Sequence, residues 1–154
     1  MPNYKGHLVG GAVVFAAVAY CVPGSHTLAT LFEWLLFSLA GALFPDVDIK
    51  SKGQRLTYTL LLMIAGLLVL HQQWYALGFL AVVVCIPLCV RHRGMFHNIW
   101  IMSLLTMTGV AFATFLAPAY KLLIMRDAAF FWVGIVSHLF CDRWLFKSLL
   151  YPFK

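Results

Sequence analysis

The sequence predicts an all-α integral membrane protein, a single multi-pass domain over residues 1–154 with about six transmembrane helices. Three observations carry that expectation. Hydrophobic residues make up 63 % of the 154-residue chain and charged residues only 10 %, whereas a soluble domain is roughly 45–50 % apolar and about 25 % charged. The mean hydropathy is +0.91. The apolar residues fall into long runs separated by short polar clusters. Sixteen charges, 11 basic and 5 acidic, cannot give a globule of this size a solvated surface. A free cytosolic enzyme, a disordered tail and a disulfide-rich secreted module are therefore excluded.

The expected helices run over Leu8–Val22, Thr27–Phe44, Leu56–Leu70, Trp74–Val90, Ile99–Leu116 and Ala128–Leu150. A straight span needs about 20 apolar residues, so the first and third are expected to extend into flanking polar residues. Lys5 before an apolar run also suits a leader, but bulky Tyr20 ahead of Cys21 and five further spans favour a retained helix. Only His71, Gln72 and Gln73 separate the third and fourth spans. They are expected to form a tight hairpin, with one long broken helix as the alternative. The sixth run is too long for one hydrocarbon crossing, so its end is expected to lie along the interface. Trp34, Trp74, Tyr75, Trp100, Tyr120 and Trp144 fall near span ends, as interfacial anchors do. Cys21, Cys85, Cys89 and Cys141 have no metal-knuckle spacing and suggest no disulfide framework.

Alternate connections separate the charges. One side collects Lys5, Lys50, Lys52, Arg55, Arg91, Arg93, Arg143, Lys147 and Lys154; the other holds only Lys121 and Arg126, in an expected Ala117–Asp127 loop. This bias predicts both termini in the cytoplasm.

That assignment used lysine and arginine alone, yet it sorts the potential ligands too. His7, Asp46, Asp48, His92, His97, His138 and Asp142 fall on the cytoplasmic side, whereas His26, His71 and Asp127 fall on the other. Glu33 lies inside the second span and is expected to reach water at the outer edge. Asp46 and Asp48 are two apart, so in an extended stretch both point the same way. His92 and His97 flank a turn at Gly94. His138 and Asp142 are i,i+4 and share a helix face. Glycines beside His7, at positions 6 and 10, allow close helix approach. Ionisable groups at membrane depth are costly and usually mark an interior site. His and Asp ligands suit zinc or manganese better than magnesium, and their number allows one or two ions. His7, Asp46, His97, His138 and Asp142 are the expected metal ligands. Asp48 or His92 is the expected general base, and Arg91 and Arg93 the expected phosphate-binding pair.

In this order the motifs resemble the bacterial LexA-binding, inner-membrane-associated metal-dependent hydrolases. The resemblance rests on His7, Pro45-Asp46-Val47-Asp48, His92-Arg93-Gly94-Met95-Phe96-His97, Ser137-His138 with Asp142, and Pro152-Phe153. It implies a multi-pass protein of the bacterial inner membrane with a divalent-metal hydrolase centre, remotely similar to zinc phospholipase C enzymes. Phe96 stands where that family commonly has Thr or Pro, and Arg143-Trp144 where it has smaller residues.

The function expected is hydrolysis of a phosphoester, lipid-linked, by a metal-activated water at the cytoplasmic interface. A non-catalytic membrane scaffold or partner subunit, with a structural metal or a His/Asp polar site, is the alternative. It leaves room for a homo-oligomer or a larger membrane complex. A transporter would need charges through the membrane depth, but these gather at one edge. Nucleic acid is not expected as a partner, because no binding motif gathers the basic residues.

Overall fold

The computed structural model describes residues 4–47, 52–89 and 95–142. They form six helices: α1 Tyr4–Cys21, α2 Leu28–Leu43, α3 Lys52–Leu70, α4 Trp74–Cys89, α5 Ile99–Leu116 and α6 Lys121–Cys141. Three-residue 3₁₀ turns cover Phe44–Asp46, Met95–His97 and Pro118–Tyr120. Five of the helical segments are long and apolar enough to cross a membrane, and α4 contributes a shorter apolar stretch. The chain is thus an all-α membrane protein, as its composition required.

Local chemistry sets the helix ends. Thr27 Oγ1 accepts the Thr30 N–H at 3.2 Å and caps α2. Asn98 Oδ1 accepts the Trp100 and Ile101 N–H groups at 2.9 and 3.4 Å and caps α5, satisfying donors that a helix start leaves open. Pro45 has no N–H to extend α2, so the chain tightens into the Phe44–Asp46 turn. The α3–α4 connection is a hairpin rather than one broken helix. Gln72 adopts a left-handed φ of 56°, and the Gln73 and Gln72 N–H groups bond back to Leu68 O and Val69 O, closing α3 with a Schellman turn.

Two expected boundaries are corrected. α1 and α3 do extend into their polar flanks, but the last helix starts at Lys121 instead of Ala128 and closes at Cys141, with Asp142 as its cap. Most of the expected Ala117–Asp127 loop is a 3₁₀ turn followed by the first helical turns. Lys121, Arg126 and Asp127 mimic a loop in sequence, yet Asp127 is buried. The segment expected along the interface, from residue 143 on, lies outside the described residues.

The centre of the bundle is the α2–α6 pair. Ser38 and Ala42 face Gly134, and Gly41 faces the Phe131 backbone. The Ala42 carbonyl also meets His138, so the two helices run parallel in register. A Cβ at Gly134 would collide with Ser38 O and Ala42 N, and one at Gly41 with Phe131 O. Only glycine permits this backbone approach, the small-residue packing that joins helices where no hydrophobic effect separates them from lipid. α1 crosses both helices. Its Gly11 lies against Ala42, and Ser38 Oγ donates to Gly11 O at 2.9 Å. α5 packs on α6, where Trp132 Nε1 donates to Ser103 Oγ at 2.9 Å.

A core of Val47, Phe96, Ile99, Met102, Ile135 and Leu139 sits near the end where α2 and α6 finish and α5 begins. Phe96 is thus a packing residue. Trp34, expected as an interfacial anchor, is instead buried at 1 % exposure and stacks on Phe130 at 4.6 Å. Trp74, Tyr75, Trp100 and Tyr120 are exposed as anchors should be.

Candidate metal centre

Four chain segments end at one pole of the bundle. The start of α1 brings His7, the proline turn after α2 brings Asp46, the turn before α5 brings His97, and the last turn of α6 brings His138 and Asp142. His7, His97 and His138 are each buried to 1 % exposure or less. The Asp142 side chain is 3 % exposed and that of Asp46 19 %.

His97 Nε2 lies 3.6 Å from Asp46 Oδ1 and 3.8 Å from Asp142 Oδ2. His138 Nε2 lies 3.6 and 3.7 Å from the same two oxygens. One ligand atom from each of Asp46, His97, His138 and Asp142 falls within 4.8 Å of all the others. These separations exceed the 2.7–3.2 Å of a direct N–H···O bond. A tetrahedron whose corners lie about 2.0–2.2 Å from a central ion has edges ~3.3–3.6 Å long; the two shorter separations reach that length and the two longer ones exceed it by 0.1 and 0.2 Å.

The orientation of His138 is fixed from behind. Its Nδ1 lies 2.7 Å from the Ala42 carbonyl, which can only accept, so Nδ1 carries the proton. Nε2 then presents its lone pair to the carboxylates, and among the described residues it has no hydrogen-bond partner. A backbone carbonyl holding the remote nitrogen is the usual support of a metal-binding imidazole. Two carboxylates facing each other at low exposure also need a compensating charge. Orphaned nitrogen, paired carboxylates and tetrahedral spacing together fit a divalent cation.

All five expected metal ligands therefore meet, although His7 stands outside the four-atom group. Asp48, Arg91, His92 and Arg93 lie outside the described residues. Among the described residues, the group that could hold an ion is Asp46, His97, His138 and Asp142, without His26, His71 or Glu33. The Ala42 carbonyl is the functional group that sequence reasoning missed; every residue carries one, and nothing in the sequence singles it out.

Fold and site define a multi-pass helical membrane protein with a buried His/Asp cluster at one pole. The chain belongs to the YdjM inner membrane protein family, whose model matches residues 1–154, and it is accordingly a multi-pass protein of the bacterial inner membrane. No curated protein and no solved structure matches it.

Proposed function

We propose that this protein is a membrane-embedded, metal-dependent hydrolase of a lipid-linked phosphoester, acting at the cytoplasmic face. The observation that carries the reading is His138, held at Nδ1 by Ala42 O while its bare Nε2 faces two carboxylates across 3.6 and 3.7 Å. Asp46, His97, His138 and Asp142 would hold a zinc or manganese ion, which supplies Lewis acidity toward water and phosphate oxygen. The chain does the rest. Burial keeps the imidazoles dry, the Ala42 carbonyl keeps one of them correctly protonated, and Arg91 and Arg93 are assigned to the phosphate. Asp48 or His92 is assigned to the proton of the attacking water.

An apolar cavity of about 460 Å³ supports a lipid substrate. It is lined by residues of α2, the turn after it, α4, α5 and α6, among them Phe44, Phe79 and Phe131, with Asp127 as its one acidic residue. Phe44 is two residues from Asp46, so a chain lying in this cavity has its head near the cluster. From Phe37 to Phe44 the cavity follows α2 for about 10 Å, at 1.5 Å per residue, which is enough for a substantial part of an acyl chain.

The test is metal analysis of the detergent-purified chain with Asp46→Ala and His138→Ala, paired with phosphodiesterase and phospholipase assays. Bound metal and turnover that vanish together in both variants are expected. Bound metal without turnover on any phosphoester would leave the scaffold reading. A metal-free wild type would overturn both the hydrolase and the structural-metal readings.

A further inference from the structure

The two carboxylates divide their oxygens between two sets of nitrogens. Asp46 Oδ1 and Asp142 Oδ2 face His97 and His138. The opposite oxygens, Asp46 Oδ2 and Asp142 Oδ1, face His7 Nε2 at 4.0 and 3.5 Å. From this division we propose that the pole holds two divalent cations, bridged by Asp46 and Asp142, with His7 as the nitrogen ligand of the second. The inference rests on the metal-centre reading and extends it to a second position.

Three features argue against His7 as a fifth ligand of a single ion. It is outside the four atoms that lie within 4.8 Å of one another. It addresses the oxygens that the other histidines leave unused. Its ring also stacks on His138, with centroids 3.9 Å apart and planes 18° apart. Imidazoles that share an ion tilt so that their lone pairs converge. Near-parallel rings instead direct their in-plane lone pairs at two points separated by about the stacking distance. That distance falls within the ~3.5–4 Å separation of two-metal sites.

The orphaned acceptor lies on the same side. Asp142 Oδ1, on a side chain 3 % exposed, has no hydrogen-bond partner among the described residues, although it points at His7. Distances of 3.5 and 4.0 Å from nitrogen to oxygen leave room for an ion about 2.0–2.2 Å from each atom. The first position has four protein ligands and the second three, His7, Asp46 and Asp142. Sites with three protein ligands are the ones that keep a place for water or substrate.

The experiment uses the full chain in detergent, stripped with chelator and reloaded with Zn²⁺ or Mn²⁺. Elemental analysis should give two equivalents in the wild type and one in His7→Ala. Mn²⁺-loaded wild type should show an exchange-coupled electron paramagnetic resonance signal, replaced in His7→Ala by that of an isolated ion. One equivalent in both proteins, or two equivalents without coupling, would overturn the second position and leave the single-ion centre standing. No metal in the wild type would overturn the centre itself. The wild-type stoichiometry and spectrum decide the matter even if His7→Ala fails to fold.

Discussion

At the scale of single residues, the site was legible because two kinds of side chain reported independently. Lysine and arginine assigned the sides, and His7, Asp46, His97, His138 and Asp142 then fell on one of them; the structure brings these five together. What the sequence cannot show is the partition of carboxylate oxygens and the Ala42 carbonyl, since both depend on rotamers and helix register. Ser38 was equally silent, although its hydroxyl holds Gly11 O across α1 and α2. Ser38→Ala removes that bond and leaves the helical bonding of the backbone intact. Interhelical bonds of this kind average about 0.6 kcal/mol, with a maximum near 1.7 kcal/mol. A small drop in melting temperature, by scanning fluorimetry in detergent, is expected with metal content unchanged. Loss of metal in Ser38→Ala would mean that α1 is placed by this one bond.

At the scale of elements, α5 was read to the residue, because Asn98 caps it and Ala117-Pro118 closes it. The start of α6 was missed, because the polar residues of its first turns look like a loop when no packing partner is known. The α3–α4 hairpin was half legible: its polar triplet marked a break, but the left-handed residue is Gln72, not the glycine that usually signals one. The α2–α6 seam gives the sharpest prediction. Gly134→Ala places a methyl on backbone atoms of Ser38 and Ala42, which no rotamer change relieves. Overpacking of this sort costs about 1–3 kcal/mol and sometimes more. It also pushes His138 away from Ala42 O, four residues along the same seam. The variant should lose both thermal stability and bound metal. Gly66→Ala in α3 is the matched control, because nothing lies within 4 Å of the added methyl. Alanine's helix propensity, about 1 kcal/mol better than glycine's, should leave it unchanged or slightly stabilised. Equal behaviour of the two variants would mean that α2 and α6 do not pack as closely as described.

At the scale of the whole molecule, the unequal charge of the two poles and the position of the ligands make one claim about orientation. Lys5, Lys52 and Arg55 lie near the ligand pole, whereas Lys121 and Arg126 belong to the opposite end of α6. Cytoplasmic connections carry the excess of lysine and arginine, so the nine-to-two split of these residues in the sequence predicts that the cluster faces the cytoplasm. If the proposed hydrolysis takes place there, the substrate headgroup would reach it from the inner leaflet, through the pole where the His- and Asp-bearing segments end. The orientation is testable apart from any chemistry. In a background with Cys21, Cys85, Cys89 and Cys141 all replaced by serine, Ser25→Cys sits in the exposed α1–α2 connection, and Lys52→Cys at the first residue of α3. A membrane-impermeant maleimide, added to cells with a permeabilised outer membrane, should label Ser25→Cys, and Lys52→Cys only once the inner membrane is opened. The reverse pattern would turn the ligand pole to the periplasm. The His/Asp geometry would survive that result, but a cytoplasmic-face substrate would not.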